Sequence, residues 1–287
     1  MYQIVTDSCC DLPYEVLEEL DVTFLPMMVN LDGKELLDDL GKTFDYEVFI
    51  GELKEGAQPT TSQINVGRYV EFFRPYVEQN IPVLYIAFSS TMSGSYSSAL
   101  QAVAILAEEY EEPDIHVFDT KGASVGEGLL VLAAARLQKD GETLASNLKW
   151  LEDNYLNVRS WVTVDDLKHL ERGGRISKTS AALGSLLSVK PIITVDEEGR
   201  LQNVDKIRGR NKSLQKIVDE TVASIVSPLD QYIYIAYAGD LEAAEKAKEL
   251  LEQKIQAKGI IIYPLGPTIS SHTGYGCVAI FSMGTKR

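Results

Sequence analysis

The sequence predicts an α/β fold made of two α/β domains with mainly parallel sheets. Three observations lead to this prediction. Apolar, β-branched runs recur along most of the 287 residues, helical patterns separate them, and the length suits two medium domains or one large one. Strands that are joined through helices of this length form right-handed βαβ units, and the strands of such units run parallel.

The strands are predicted where apolar, β-branched runs are bounded by turn residues. They lie at residues 2–6, 23–29, 83–88, 115–118, 160–164, 192–195, 232–236, 260–263 and 278–281. The helices are predicted where the apolar period is close to 3.6. They lie at residues 14–20, 66–78, 97–110, 125–139, 143–154, 180–187, 214–226 and 241–258.

One pair of strands is expected to be antiparallel. An Asp-Glu-Glu-Gly turn separates two strand-like runs within residues 190–202, and this pattern predicts a hairpin. A domain boundary is predicted near Asn157 and Val158, where a helix has ended and a new strand begins. The expected domains are therefore residues 1–157 and residues 158–287.

Charge and cysteine content argue against several classes of protein. The net charge of −15 disfavours binding to nucleic acid or to anionic lipid headgroups, because both require clustered Lys and Arg. Cys9, Cys10 and Cys277 match no zinc spacing and no disulfide framework, and no glycine-rich nucleotide loop is present. Without a basic apolar leader or a long apolar span, neither secretion nor membrane insertion is indicated. A cytoplasmic protein with reduced thiols and no metal is expected.

The densest chemical signal is the run of residues 89–98, which holds six serines and one threonine directly after the strand-like run 83–88. A strand that ends in hydroxyls and then opens a helix places donors at the carboxyl edge of a sheet. Ligands bind at that edge, and helix N-termini favour anions. One N-cap needs one serine, so capping explains part of the cluster but not its density. The run predicts an anion site, with helix capping as the alternative.

Two further segments bear on the same site. Residues 58–63 form a second hydroxyl-rich loop ahead of a helix, which by itself is typical of an N-cap and beside Ser93 can close the other side of an anion site. Residues 266–276 place His272 among glycines and hydroxyls, a context typical of a loop. A functional and a structural role for His272 are both open at this point.

Two basic segments stand out in a chain this acidic. Residues 170–177 set Arg172 and Arg175 around a glycine pair, and guanidinium groups bind carboxylate or phosphate in a bidentate manner. Pairing with acidic residues of the chain is the alternative. Residues 208–212 form a second basic segment before a helix, for which contact with a phosphate or an acidic partner and a merely solvated helix start are equally open.

A serine hydrolase that acts on acyl esters or acyl phosphates is the alternative function that the residues allow. Ser93 would be its nucleophile and His272 its base. However, residues 91–95 do not form the Gly-x-Ser-x-Gly elbow that exposes a nucleophile, and no third member of a triad is evident for this pair.

Taken together, these loops resemble the DegV family of bacterial lipid-binding proteins. The matching segments occur in family order at residues 6–8, 58–62, 89–96, 170–176, 190–192, 208 and 266–274. The resemblance implies a long-chain fatty acid buried between two α/β domains or within the N-terminal one, in a lipid tunnel. It also implies a carrier without catalytic residues or cofactor of its own, the acyl-carrying subunit of a two-component fatty-acid kinase. A separate ATP-binding subunit then phosphorylates the bound fatty acid for phospholipid synthesis.

The resemblance also implies roles for particular residues. Ser93 and Thr61 resemble donors to the fatty-acid carboxylate, with His272 nearby and with Thr60 and Gly94 beside them. The carboxylate is an anion at neutral pH, so its burial requires several donors, and hydroxyls near a helix N-terminus supply them.

Arg208 and Arg172 resemble the basic residues needed for kinase engagement or phosphoryl transfer. A regulatory module whose bound lipid is a signal is a third possibility, in which Arg208 has no part in a kinase reaction. The tail requires an apolar tunnel, which stabilises binding by about 0.8 kcal/mol per buried methylene. Residues that suit either a tunnel wall or plain core are Phe24, Met27, Met28, Leu129, Leu132 and Ile192.

Overall fold

The computed structural model describes residues 2–177 and 188–287. Its strands are β1 (Gln3–Asp7), β2 (Thr23–Leu25), β3 (Met28–Leu31), β4 (Lys34–Leu37), β5 (Thr60–Ser62), β6 (Val83–Ala87), β7 (Ile115–Asp119), β8 (Val158–Thr163), β9 (Val189–Val195), β10 (Leu201–Arg208), β11 (Tyr232–Tyr237), β12 (Gly259–Pro264) and β13 (Val278–Met283). Its α-helices are α1 (Tyr14–Glu19), α2 (Tyr46–Lys54), α3 (Val66–Glu78), α4 (Ser95–Glu109), α5 (Val125–Lys139), α6 (Leu144–Asn154), α7 (Lys168–Arg172), α8 (Arg210–Ser224), α9 (Leu241–Glu252) and α10 (Pro267–Thr273).

The strands form three sheets. The first is fully parallel, with the order β2-β1-β6-β7. The second has six strands in the order β10-β9-β8-β13-β11-β12. The third is a small antiparallel sheet in the order β4-β3-β5. The α/β prediction is confirmed, and so is the antiparallel hairpin of β9 and β10.

The expectation of mainly parallel sheets is wrong for the six-stranded sheet. Only β11 and β12 pair in parallel there, because the last strand, β13, inserts antiparallel between β8 and β11. β9 and β10 then extend the sheet as antiparallel neighbours of β8. A strand that returns from the end of the chain cannot be placed in a sheet by local periodicity.

Several element bounds agree with the sequence. The helices at residues 66–78 and 125–139 have the predicted ends. The single strand predicted at residues 23–29 is wrong, because Pro26 separates β2 from β3 and the two belong to different sheets. The short elements β4, β5, α2 and α10 were not predicted. The helix predicted at residues 180–187 lies outside the described residues. The division into two domains stays a prediction, although β8 begins at Val158.

Helix α5 joins the two large sheets. It packs against β1 and β6 on one side and against β8 and β13 on the other, and most of its residues are buried. Gly126 and Gly128 permit this close packing. A Cβ on Gly126 would lie 3.2 Å from Ser160 Oγ, and one on Gly128 would lie 2.7 Å from the Cys10 carbonyl oxygen. The loops at the N-terminal end of α5 are therefore held between both halves of the molecule.

Candidate functional site

An apolar cavity lies between the parallel sheet and the six-stranded sheet. Its wall is formed by side chains of the six-stranded sheet and by the segments that follow the strands of the parallel sheet. The apolar ones include Cys9, Met27, Phe88, Met92, Val162, Leu170, Ile193, Val195, Leu201, Leu265, Ile269, Cys277, Ala279 and Phe281. The polar ones include Thr61, Gln63, Ser93, Ser124, Ser160, Arg175, Thr268, His272 and Thr273. A mostly apolar wall with a few polar groups is typical of a site for an amphipathic small molecule.

Two of the predicted site residues meet in a direct hydrogen bond. Thr61 Oγ1 and His272 Nε2 lie 2.8 Å apart. Thr61 is on β5, where its partner in register is Val29 of β3. His272 is on α10, not in a loop as the sequence indicated, because Pro267 opens a short helix and Gly274 ends it at φ 75°. Of the two alternatives for residues 58–63, the N-cap is not formed, since Asn65 caps α3.

The imidazole of His272 is held neutral. Burial, together with the nearby guanidinium groups of Arg175 and Arg172, lowers its pKa to about 4. Its Nδ1 atom is buried and has no hydrogen-bond partner among the described residues. Gly173 packs against this edge of the ring, so closely that a Cβ there would lie 2.2 Å from Nδ1. His272 therefore brings one ring N–H, rather than a charge, to the cavity.

Ser93 lies in the loop between β6 and α4 and is 9% exposed. Its Oγ atom is 3.0 Å from Ser95 Oγ and accepts a hydrogen bond from the Ser95 N–H at 3.2 Å. The backbone N–H groups of Met92 and Ser93 both donate to the Ser89 carbonyl, which makes the loop a tight turn. No hydrogen bond joins Ser93 to His272 in the described part of the chain, so the pairing that a Ser93 hydrolase requires is not formed.

The other hydroxyls of residues 89–98 fasten this turn to neighbouring segments. Ser89 Oγ and Thr91 Oγ1 both donate to the Gly199 carbonyl in the β9–β10 hairpin, at 2.9 and 2.7 Å. The Ser98 hydroxyl accepts from the Gln63 amide at 3.0 Å. The N-cap residue of α4 is Gly94, with no side-chain cap. The density of the serines is thus explained by contacts between segments rather than by capping.

Gly94 and Arg175 shape the cavity next to Ser93. A Cβ on Gly94 would lie 2.1 Å from the Gln63 side-chain oxygen, so a glycine is needed for this contact. Arg175 donates from Nε to the Met92 carbonyl at 2.9 Å and bonds through a terminal nitrogen to the Gly173 carbonyl. Burial lowers the pKa of Arg175, which remains a cation at neutral pH. The sequence pattern indicated residues 170–177, but the predicted site residue in that segment was Arg172 rather than Arg175.

Three other predicted site residues lie outside this group. Thr60 is exposed because neighbouring strand residues face opposite sides, and Thr61 faces the cavity. Arg172 is exposed and contacts His169 Nδ1 at 3.0 Å. Arg208 is exposed at the end of β10 and has no ion-pair partner among the described residues.

Of the proposed wall residues, only Met27 lines the cavity. Ile192 lies in the core on the other face of the six-stranded sheet, while the adjacent Ile193 faces the cavity. Leu129 and Leu132 line a separate small pocket beside Trp150. The remaining two, Phe24 and Met28, are not part of the cavity wall. For Ile192, the alternation of side chains along its strand decides which face of the sheet it occupies, and this phase was not available from the sequence.

Two buried carboxyl groups fasten α10 to the N-terminal half, and the sequence analysis did not select them. Asp38 accepts from the Thr268 hydroxyl at 2.6 Å and from the Thr268 N–H at 3.3 Å. Asp11 accepts from the Gly266 N–H at 3.0 Å and from the Ser124 hydroxyl at 2.6 Å. Burial raises the pKa of Asp38 to about 6 and that of Asp11 well above its usual range. These bonds position the helix that carries His272.

Two more buried carboxyls lie at the carboxyl end of β1 and at the start of α5. Asp7 accepts from the Tyr85 hydroxyl at 2.8 Å and from the Phe88 N–H at 3.1 Å. Glu127 accepts from the Thr6 hydroxyl at 2.9 Å, and its other oxygen has no partner among the described residues. Burial raises the pKa of both groups. No three acidic, Cys or His side chains in the described ranges are arranged to hold a metal ion.

Comparison with known proteins gives a clear result for the family. The family model described as "Uncharacterised protein, DegV family" matches residues 1–284. The chain belongs to the DegV family. A DegV domain-containing protein of Clostridium perfringens, CPE0026, is 43% identical over 286 residues, which span 100% of this chain and 98% of that protein.

Solved structures of similar proteins have the same fold. A fatty-acid-binding DegV protein from Thermus thermophilus superposes with a TM-score of 0.86 at 32% identity, covering 99% of both chains. A stearic-acid-binding protein from Eubacterium ventriosum gives a TM-score of 0.83 at 29% identity, again over 99% of both chains. Within residues 2–177 and 188–287, none of the helices is long and apolar enough to cross a bilayer.

Proposed function

We propose that this protein binds a long-chain fatty acid in the cavity between its two large sheets and presents it to a separate ATP-dependent fatty-acid kinase. One observation carries the first part. Thr61, His272 and Ser93 lie in the wall of the same mainly apolar cavity, with Thr61 and His272 joined at 2.8 Å. The fatty-acid-binding DegV protein from Thermus thermophilus and the stearic-acid-binding protein from Eubacterium ventriosum, which share this fold, support it.

The chemistry of the polar group suits an ionised carboxylate. When His272 Nε2–H donates to Thr61 Oγ1, the Thr61 hydroxyl proton is free to donate to a ligand oxygen. The Ser93 hydroxyl is a second donor. The cationic Arg175 lies in the same wall and offsets the buried negative charge, which would otherwise be costly. The apolar remainder of the wall accepts the acyl chain.

Presentation to a kinase is proposed for the exposed arginines. Arg172 and Arg208 lie outside the cavity wall, and both side chains are exposed in a chain of net charge −15. Exposed guanidinium groups can pair with an acidic partner surface or with a transferred phosphoryl group. The family resemblance assigns them to this role.

The binding part is tested by oleate titration of delipidated protein, together with mass spectrometry of lipids extracted after expression in bacteria. Ser93→Ala and Thr61→Val are each expected to weaken oleate binding about tenfold, since each removes a hydrogen bond to a charged group. Thr60→Val is the matched control, because Thr60 is the exposed neighbour of Thr61 on β5, and it is expected to bind like the wild type. Wild-type protein that carries no fatty acid and fails to bind oleate would refute the proposal.

The kinase part is tested by the formation of acyl phosphate with a fatty-acid kinase subunit and ATP. Arg208→Ala and Arg172→Ala are expected to slow the reaction severalfold while oleate binding is retained. Arg74→Ala is the control, since Arg74 pairs with Glu109 on the surface of α3 and α4. Equal rates for all three variants would remove the arginines from this role and favour a regulatory lipid sensor.

A further inference from the structure

Residues 122–126 read Gly-Ala-Ser-Val-Gly, a Gly-x-Ser-x-Gly sequence that the proposed function does not use. It lies between β7 and the first turn of α5, at the carboxyl edge of the parallel sheet. A serine on such a strand-to-helix turn presents its hydroxyl at the top of the sheet, as in enzymes that transfer acyl groups through serine.

The backbone of Ser124 has the geometry of this turn. Its φ is 56° and its ψ is −145°, a combination that is nearly exclusive to glycine and costs about 1–3 kcal/mol for other residues. The two glycines allow the sharp turn. A Cβ on Gly122 would lie 3.4 Å from the Glu127 backbone nitrogen, and one on Gly126 would lie 3.2 Å from Ser160 Oγ. Capping does not explain the strain, since Ser124 makes no side-chain cap of α5.

The hydroxyl of Ser124 is directed at a carboxyl group. It donates to Asp11 Oδ2 at 2.6 Å, and the other oxygen of Asp11 is fixed by the Gly266 N–H at 3.0 Å. Asp11 is 3% exposed, so this contact is shielded from water. The Val125 N–H, which follows the serine, has no acceptor among the residues that the structure describes. That N–H is the position of an oxyanion donor in a nucleophile elbow.

Ser124 also faces a place where an acyl chain can lie. It is part of the wall of the apolar cavity, together with Ala123, Phe281 and Leu265. Ser93 lies in the same wall but has ordinary contacts to Ser95 and, among the described residues, no carboxyl or imidazole partner. Strained backbone, positioned carboxyl, oxyanion donor and apolar cavity thus coincide at Ser124.

We infer that Ser124 is the nucleophile of a hydrolytic activity toward long-chain acyl esters, with Asp11 as its base. Ser124 Oγ attacks the ester carbonyl carbon, and its proton passes to the ionised Asp11 carboxylate. The bond from the carbonyl carbon to the alcohol oxygen breaks, and the leaving alkoxide takes the proton from Asp11. Water then attacks the acyl-serine ester and gives a proton to Asp11, which returns it to Ser124 Oγ as the fatty acid is released.

The test uses the delipidated full chain with p-nitrophenyl octanoate and with a long-chain alkyl fluorophosphonate that labels activated serines. Hydrolysis is expected, with the phosphonate adduct on Ser124 in the peptide mass spectrum. Ser124→Gly removes the hydroxyl and relieves the backbone strain, so it is expected to stay folded and to lose at least tenfold in rate. Ser146→Ala removes an exposed serine of α6, outside the cavity wall, and is expected to keep the wild-type rate.

Oleate binding is measured on the same samples, so that this inference and the proposed carrier function are judged separately. Hydrolysis that is no faster than in buffer, a rate unchanged in Ser124→Gly, or an adduct on another serine would each overturn the inference while leaving oleate binding intact. Loss of oleate binding in wild-type protein would instead refute the carrier function.

Discussion

Two polar regions adjoin the cavity: a basic region of His272 and Arg175, and an acidic region of Asp11 and Asp38. Burial shifts the pKa values of the two regions in opposite directions. In the basic region, burial lowers the pKa of His272 and leaves Arg175 as the cation of the wall. In the acidic region, burial raises the pKa of Asp11 and Asp38, whose partners Ser124 and Thr268 line the cavity. The comparison shows where charge is tolerated. A ligand carboxylate is more stable beside the cationic Arg175, whereas an uncharged acyl group is more stable beside the buried carboxyl groups of Asp11 and Asp38.

The two regions also differ in what they hold together. The acidic region joins segments far apart in sequence, since Asp38 and Asp11 fix the start of α10 through Thr268 and Gly266. The basic region also joins distant segments, through Thr61 and His272 and through Arg175 and the Met92 carbonyl, but its contact between Thr61 and His272 lies in the cavity wall and is available to a ligand. We therefore expect substitutions in the acidic region to reduce stability and those in the basic region to reduce binding.

The largest expected effect is that of Asp38→Ala. It leaves the buried Thr268 hydroxyl and N–H without their acceptor, so the free energy of unfolding should fall by about 3 kcal/mol in urea denaturation. Oleate binding should weaken as well, because α10 carries His272. Asp38→Asn keeps one acceptor oxygen and should cost only about 1 kcal/mol. Wild-type stability in Asp38→Ala would contradict the structural role of the acidic region.

The next effect is the pH dependence contributed by His272. Its pKa is about 4 in the folded protein and near 6.5 when unfolded, so the unfolded chain binds the proton first as the pH falls. The contribution of this group to the free energy of unfolding is therefore fully present above pH 6.5 and is lost at pH 4. The loss amounts to at most about 3 kcal/mol. His272→Asn should abolish this loss, as measured by the free energy of unfolding at pH 4 and pH 7.

Asp38 should contribute the opposite dependence of the free energy of unfolding on pH. Its pKa is about 6 when folded and 3.8 as the ordinary value, so the folded protein binds the proton first. Stability from this group is complete below pH 3.8 and is lost as the pH rises through 6, again by about 3 kcal/mol. Between pH 4 and pH 6 the two groups therefore oppose each other in the wild type. As the pH rises from 4 to 6, the free energy of unfolding of the wild type minus that of Asp38→Asn should decrease. The same difference between the wild type and His272→Asn should increase. Parallel pH profiles for the two differences would contradict the comparison.

The parts of the site that depend on local sequence pattern could be predicted from the sequence. Two hydroxyl-rich segments and a histidine between glycines indicated where the site lies, and the family resemblance selected Ser93 and Thr61 within those segments; Ser93, Thr61 and His272 all line the cavity. Prediction from the sequence failed where residues distant in the chain determine the structure. β5 is three residues long and exists only through pairing with β3, and the same pairing separates Thr60 from Thr61.

The acidic region was missed for a related reason. Asp11 and Asp38 have no distinctive neighbours in sequence, and only the return of the chain at Gly266 and Thr268 buries them and supplies donors. Ser124 is different, since its Gly-x-Ser-x-Gly pattern is visible in the sequence. Its strained backbone and its carboxyl partner became evident only in the structure.

The smallest expected effect distinguishes the two arginines near His272. Both lower the pKa of the imidazole, and Arg175 acts more strongly than Arg172 because it is half-buried while Arg172 is exposed and screened by solvent. Arg175→Gln should therefore raise the pKa of His272 more than Arg172→Gln does, as followed by NMR titration of the ring. Arg175→Lys keeps the charge and should leave that pKa low. If Arg172→Gln gave the larger rise, or if Arg175→Lys and Arg175→Gln behaved alike, the charge of Arg175 would not be what sets the basic region apart from the acidic one.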